Sequence, residues 1–281
     1  MTQELQSEIQ RAAEAVNRAD ALLITAGAGM GIDSGLPDFR GNEGFWNAYP
    51  PIRKLGLSFA EMANPHWFSR DPALAWAFYG HRLALYRSTT PHEGFKTLGE
   101  WCLKKRGGGF VFTSNVDGQF QQAGFPDTHI EECHGSLNHL QCTKPCSDAI
   151  WSARGVEVVV DEARFKAREP LPRCPSCGAL ARPNVLMFGD WSWNGERTSA
   201  QGRRMHAFLE GVRHNGWRLV ILEFGAGKAV PTVRQQSEAV AESLECTLIR
   251  INPRDPEVPG PEQISLPMGA LAGLEAIRAC L

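Results

Sequence analysis

The chain has 281 residues, 43% of them hydrophobic, with 29 Lys and Arg against 31 Asp and Glu. That length allows one large domain, or one domain with a sizeable insertion, and the apolar content excludes an intrinsically disordered chain. A net charge of −2 gives no field for general binding to nucleic acid or an anionic membrane, no apolar run approaches the ~20 residues that span a bilayer, and residues 1–20 lack the pattern of a secretory signal.

Residues 3–18 carry Leu5, Ile9, Ala12 and Val16 at helical spacing with charges between them, so an amphipathic helix is expected there. The apolar run Ala21-Leu22-Leu23-Ile24 then reads as a buried strand. It feeds four glycines, Gly27, Gly29, Gly31 and Gly35, and the cluster Asp38-Phe39-Arg40. A strand entering a glycine-rich turn is how an open α/β sheet offers backbone N–H groups to a pyrophosphate. Ile32 stands where the dehydrogenase G-x-G-x-x-G pattern needs glycine, so this is a phosphate loop of another make. The plain alternative is a strand-to-helix turn without a ligand.

Leu36 to Gly56, rich in aromatics, Pro and Gly, reads as a long irregular loop over a ligand. Asp71-Pro72 predicts a capped helix running to about Arg87, and 91–105 a second, stopped at Gly107-Gly108-Gly109. Phe110-Val111-Phe112 reads as a strand delivering Ser114, Asn115 and Asp117 at its carboxyl end, and a strand near 129–133 delivers His134. Open α/β sheets place their chemistry at such ends.

The cytoplasm is the expected compartment, so the eight cysteines need an explanation other than disulfides. Four of them supply one: Cys142-x3-Cys146, then 27 residues, then Cys174-x2-Cys177. Two such pairs are the sequence form of a tetrahedral structural zinc site, one metal per chain. A redox role for Cys174 and Cys177 is the alternative, and the second pair argues against it. Beyond this segment the α/β rhythm returns. A strand is expected at 184–188, a helix at 196–214, a strand at 218–224 ending in the turn Gly225-Ala226-Gly227, and a helix from Pro231 to 245. A strand at 246–251 reaching Asn252 and a last helix at 269–280 follow. The alternation predicts a doubly wound parallel sheet.

Taken together, GAGMGIDSGLPDFRG (27–41), TSNVDGQFQQAG (113–124), HGSL (134–137), the two cysteine pairs, RPNVLMFGD (182–190), the turn at 225 and Ile251-Asn252 resemble the sirtuin family, in the family's order and over most of the chain. The resemblance implies a Rossmann-like NAD-binding domain formed by 1–41, 94–135 and 183–281. It implies a smaller domain built from a helical insertion (42–93) and a zinc-binding insertion (136–182). It implies an NAD-dependent protein-lysine deacylase of the acyltransferase class. Its partner is an acylated-lysine protein or peptide, with no role for nucleic acid or membrane.

The resemblance also assigns residues. Gly27, Ala28, Gly29 and Arg40 would meet the pyrophosphate, Phe39 would shield the reacting ribose, and Asp38 belongs to the same cofactor loop. Ser114 belongs to the cofactor-binding set, Asn115 would order the ribose hydroxyls or a water, and Asp117 would hold the nicotinamide amide. Gly225 and Ala226 would lie near the cofactor phosphates or ribose, and Asn252 on the adenine ribose side. His134, with Asn115, would be catalytic. The acyl oxygen attacks C1′ of the ribose, nicotinamide leaves, and His134 deprotonates a ribose hydroxyl, giving lysine and O-acyl-ADP-ribose. Phe188, Gly189 and Val230 would bind the substrate. Tyr79 and Arg82, three apart on one helix face, match a pair that reads acidic acyl groups in desuccinylating and demalonylating members. A packing Tyr beside a surface Arg is the plain alternative.

Several positions depart from the family pattern: Gly31 for Ser, Ser114 for Gln, Gln119-Phe120 for Leu-His, Asp190 for Glu, and Gly225-Ala226-Gly227 for Gly-Thr-Ser. They mark a divergent, bacterial-type branch and leave two alternatives. One is an ADP-ribosyltransferase or NAD glycohydrolase, separable by whether His134→Ala stops all nicotinamide release or only deacylation. The other is a non-catalytic NAD or ADP-ribose sensor, which would bind without turnover.

Overall fold

The structure, a computed structural model, describes residues 2–37 and 41–281. Helix α1 (Gln3–Arg18) leads into strand β1 (Ala21–Ala26) and a 3-10 helix, Ala28–Ser34. Helices α2 (Gly41–Ala48), α3 (Pro50–Lys54), α4 (Phe59–Met62), α5 (Trp67–Arg70), α6 (Pro72–Ser88) and α7 (Glu93–Lys104) follow, then β2 (Gly109–Thr113), α8 (Gln119–Gln122) and β3 (Ile130–Glu132). Next come β4 (Gly135–Cys142), β5 (Ile150–Ser152), β6 (Val160–Asp161), β7 (Lys166–Ala167) and β8 (Ala181–Val185). The chain ends with α9 (Glu196–His214), β9 (Leu219–Phe224), α10 (Thr232–Ser243), β10 (Thr247–Ile251), β11 (Ile264–Leu266) and α11 (Ala270–Arg278).

The main sheet has the order β11-β10-β9-β1-β2-β3, and every pairing in it is parallel. β1 is buried along its whole length, which is why it reads as an unbroken apolar run rather than an alternating one. Its side chains still divide with a period of two. Leu22 and Ile24 enter a core with Ile9, Val16, Phe95, Leu274 and Ile277 of α1, α7 and α11. Ala21 and Leu23 enter the opposite core with Met205, Val212, Val233 and Val240 of α9 and α10. Helices therefore cover both faces, and the fold is the doubly wound one that the alternation predicts.

The remaining elements share a third core. Phe45, Met62, Trp76 and Phe78 pack with Leu137, Leu140, Phe165 and Val185, so the helical and the cysteine-bearing segments bury their apolar faces against each other. Trp76 Nε1 donates to the Ala181 carbonyl (3.0 Å) across that junction.

Three expectations are corrected. The stretch 36–56 is not a plain loop, since α2 and α3 occupy it; Phe45, Tyr49 and Ile52 recur at 4 and 3 and are all buried, the period of a helix face, and Pro50 and Pro51 start α3 where proline costs nothing. The strand expected at 184–188 runs at Ala181–Val185 and pairs antiparallel with β4 in a three-stranded sheet; it is not a strand of the parallel sheet. Finally, the sheet gains an edge strand, β11, at Ile264–Leu266.

Candidate active site

Strand order reverses direction at β1, whose neighbours are β2 and β9. The crevice outside the carboxyl ends of such a pair is where open α/β sheets bind ligands. Both glycine turns lie there. Gly27 N–H donates to the Phe224 carbonyl (2.9 Å) and Gly29 N–H to the Gly225 carbonyl (3.2 Å). A Cβ on Gly27 would sit 2.8 Å from the Gly225 oxygen, and one on Gly225 would run into the Gly29 backbone. The two turns touch backbone to backbone, which only glycine allows. They form a cradle floored by main chain at the carboxyl ends of β1 and β9. The Gly27 and Gly29 N–H groups are taken up by the facing strand end and turn, so what the glycines give a ligand here is close approach of backbone.

Gly225 also has φ +54°, in the left-handed region. Gly225→Ala is therefore expected to add a steric clash to about 1–3 kcal/mol of backbone strain. Gly108→Ala is its control, because Gly108 has φ +67° and open space around it. Thermal melts should show a larger loss for Gly225→Ala, and NAD titration should show weakened binding for that variant alone. Equal melting points would argue against the close approach.

Polar groups from neighbouring strand ends reach this cradle. Ser114 N–H donates to the Ala26 carbonyl (3.1 Å), and Asn115 Nδ2 donates to the Gly27 carbonyl (3.0 Å), which ties the β2 loop to the first glycine turn. Asn252 is fully buried, and its Nδ2 donates to the Ala226 carbonyl (2.8 Å). Its Oδ1 accepts from Arg254 and Asp255 N–H (3.0 and 3.1 Å). Asn252 is thus a brace for the second turn from beneath.

Asp117 is buried, and burial pushes its carboxyl up to about 6, with the Glu132 charge adding to the effect and the Gln119 N–H opposing it. His134 follows β3 and is half-buried; burial holds its imidazole below the ordinary value. Its carbonyl accepts from Leu186 N–H (2.9 Å). The adjacent Cys133 thiol is pushed by burial up to about 12, with Glu131 adding to it, so it is protonated and inert at neutral pH. Among the expected site residues, Asp38, Phe39 and Arg40 lie outside the described residues.

The expected substrate residues divide. Phe188 N–H donates to the Ala63 carbonyl (2.9 Å), joining the segment after β8 to the helical part, and Gly189 has φ +66°. Phe188 and Val230 are exposed, while Tyr79 and Arg82 are buried. The plain alternative of a surface Arg is therefore set aside. Arg82 donates from Nε and Nη2 to the Tyr86 hydroxyl (3.0 and 2.7 Å) and lies over the rings of Phe59, Phe78 and Tyr86. Tyr79 stacks on Phe68, and its hydroxyl has no hydrogen-bond partner among the described residues. Tyr86 escapes the sequence reading, although its place one turn beyond Arg82 is a signal of contact.

The four cysteine sulfurs lie within 4.8 Å of one another, with Cys142–Cys177 and Cys146–Cys174 each 3.6 Å apart. A tetrahedron with Zn–S bonds of about 2.3 Å has edges of about 3.8 Å, so the donors fit zinc in both chemistry and size. With four thiolates the shell is closed and the metal's part is structural. Gly178, at φ +71°, closes the second knuckle, its N–H donating to the Cys174 carbonyl (2.9 Å).

The fold and these features define a doubly wound nucleotide-binding protein that carries a four-thiol metal module. The Sir2 family model matches residues 27–207, and the chain belongs to the Sir2 family. It is 32% identical over 177 residues to NAD-dependent protein deacylase 1 of Caldanaerobacter subterraneus subsp. tengcongensis, covering 63% of this chain and 64% of that one. The match therefore spans just under two thirds of that curated relative. The NAD-dependent protein deacylase of Thermus thermophilus is 29% identical over 269 residues, 95% of this chain and 92% of its own. Among solved structures, a mutant Sir2 homologue in complex with ADP-ribose matches with a TM-score of 0.66 at 26% identity, over 100% of this chain and 96% of that one.

Proposed function

We propose that the protein is an NAD-dependent protein-lysine deacylase, acting on acylated-lysine proteins or peptides and yielding lysine, nicotinamide and O-acyl-ADP-ribose. The observation that carries this reading is the backbone-floored cradle of Gly27–Gly29 against Gly225, with Asn115, Asp117 and His134 delivered from the adjacent strand ends. When bound, NAD supplies an electrophilic ribose carbon with nicotinamide as leaving group.

The chain's own residues have separate tasks in this reading. Gly27, Ala28 and Gly29 hold the pyrophosphate, with Arg40 in the same loop. Ser114 and Asn115 order the nicotinamide ribose, and Asp117 accepts from the nicotinamide amide. Asn252 holds the turn Gly225-Ala226 against the adenosine side. His134 takes a proton from a ribose hydroxyl. Phe188, Gly189 and Val230 border the acyl-lysine peptide. The division into 1–41, 94–135 and 183–281 against 42–93 and 136–182 belongs to the same proposal. It is supported by the core that the two insertions share.

The acyl preference is proposed from Tyr79 and Arg82. An orphaned buried hydroxyl costs free energy unless a ligand pairs with it, and a buried guanidinium suits a carboxylate. Nicotinamide release with acetyl-lysine and succinyl-lysine peptides tests the reading, wild type beside Arg82→Met. Losing a charged hydrogen bond costs about 1.5–3 kcal/mol, so kcat/KM on the succinyl peptide should fall about 10- to 100-fold while acetyl turnover persists. Nicotinamide release without peptide deacylation would move the reading to ADP-ribosyl transfer or NAD hydrolysis.

A further inference from the structure

We propose that the first turns of α9 form a clamp on Glu132 that positions His134, with Arg197, Thr198 and Gln201 as its positioning residues. This rests on the deacylase reading above.

A general base is ordinarily oriented by a third group that hydrogen-bonds it. Among the described residues nothing hydrogen-bonds the His134 imidazole, and burial alone shifts its titration. The place of the ring therefore depends on the backbone that carries it. After the ring, the His134 carbonyl accepts from Leu186 N–H. Before it, Cys133 N–H donates to the Thr113 carbonyl of β2 (2.9 Å). The next residue back is Glu132, the last of β3.

β3 is an edge strand of the parallel sheet. Successive residues of a strand turn their main-chain groups to opposite sides, and Cys133 faces β2. The N–H and carbonyl of Glu132 therefore face the side that has no further strand, where an edge leaves its groups unpaired. Side chains of α9 stand in for that strand. Gln201 Oε1 accepts from Glu132 N–H (3.1 Å), and Thr198 Oγ1 donates to the Glu132 carbonyl (3.1 Å). Arg197 Nη2 donates to the Glu132 carboxylate (2.5 Å). One helix thus grips the N–H, the carbonyl and the carboxylate of a single residue.

Covering the edge needs only the two neutral contacts. The ion pair is a further device, and a costly one. The Glu132 side chain is 1% exposed, so its charge has lost its water, and one guanidinium offsets that loss only in part. Glu132 Oε1 and Arg197 Nη1 still have no partner among the described residues. Such a pair adds little to stability, whereas fixing register is a use that buried polar pairs do serve. Here it allows β3 one position along α9, and the strand so fixed ends two residues ahead of His134.

Thr198→Val removes the hydroxyl at nearly constant shape, Thr198→Ser restores it, and Arg197→Met removes the charge. Each variant is assayed with an acetyl-lysine peptide for single-turnover nicotinamide release and for deacylation. Deacylation should fall about 3- to 10-fold in Thr198→Val and about 10- to 100-fold in Arg197→Met, the scale of a misplaced catalytic group. The loss should lie in kcat rather than KM, with nicotinamide release nearly unchanged and Thr198→Ser close to wild type. In a His134→Ala background the same substitutions should cost nothing further, because a residue that acts through His134 loses its effect with it. Parallel loss of nicotinamide release, a further loss in the His134→Ala background, or no recovery in Thr198→Ser would each overturn the proposal. Should Arg197→Met not fold, the two Thr198 variants decide alone. If wild type deacylates neither acetyl- nor succinyl-lysine peptides, the deacylase reading fails, and NMR decides the clamp. The His134 ring signal, assigned by its absence in His134→Ala, should move in Thr198→Val and return in Thr198→Ser. A signal that Thr198→Val leaves in place would overturn the clamp whatever the activity.

Discussion

Replacing His134 by alanine is expected to lower peptide deacylation by about 10²- to 10⁴-fold, the usual contribution of one general base. Single-turnover nicotinamide release should fall far less, because in the proposed order the proton that His134 would take belongs to a step after nicotinamide has left. The structure gives the imidazole the state this needs. Burial lowers its pKa, so the neutral form, which can accept a proton, persists to a lower pH than for a free histidine. The acidic limb of kcat is therefore expected below the ordinary imidazole value of about 6.5. Asp117 adds a separate limb. Its carboxyl is pushed up to about 6 by burial, so as pH falls through that value it gains a proton and stops being a pure acceptor for the nicotinamide amide. KM for NAD should rise on that side, and Asp117→Asn should flatten the rise. Equal loss of nicotinamide release and of deacylation in His134→Ala would sink the ordering of steps proposed here.

Removing the metal is the second large effect. Cys174→Ser is expected to take zinc from one atom per chain to none by elemental analysis. It should also lower the melting temperature by about 10 °C or more, given the binding free energies of structural zinc and the usual dependence of melting on stability. The reason is where the knuckles attach. Cys142 ends β4, and Thr143 N–H donates to the Leu180 carbonyl (3.1 Å) just ahead of β8. β4 and β8 then supply Leu140, Ala181 and Val185 to the core that also holds Trp76 and Phe78 of α6. Loosening the knuckles thus loosens α6, with Tyr79 and Arg82 on it, and the pairing of Leu186 with His134. Deacylation should fall with the zinc content. A variant that keeps its zinc would refute the four-cysteine assignment.

The residues differ in how openly they declare these roles. β1, β2, β9 and β10 are buried on both faces, so β1 and β2 are written almost wholly in apolar residues and β9 and β10 carry only one charge each, Glu223 and Arg250, paired with each other. The polar or glycine residue that follows each strand lies at the carboxyl edge of the sheet. Gly27, Asn115, Gly225 and Asn252 were legible for that reason, and the cysteine pairs because thiolate spacing is local. What depends on partners distant in sequence was not. Nothing within 181–185 says that its hydrogen bonds go to β4 instead of the parallel sheet. Ile264–Leu266 is too short to carry a period. The helices at 41–54 were masked by Pro and Gly, although their buried aromatics kept helical spacing. The Arg82–Tyr86 contact was accessible from spacing alone, while the burial of Arg82 needed the shared core.

The place of β1 in the sheet has a consequence for synthesis. Leu22 pairs with Phe110-flanking backbone on one side and with Val220 on the other, so its second neighbour leaves the ribosome nearly two hundred residues later. At about 5–20 residues per second the delay is on the order of 10–40 s. Until β2 is made both edges of this apolar strand are open, and from then until β9 one edge stays open, the kind of surface that recruits other strands. Completion of the sheet, and with it closure of the nucleotide cradle, waits for β9. The cradle is therefore a late event in the life of each molecule, assembled from the first and the last thirds of the polypeptide.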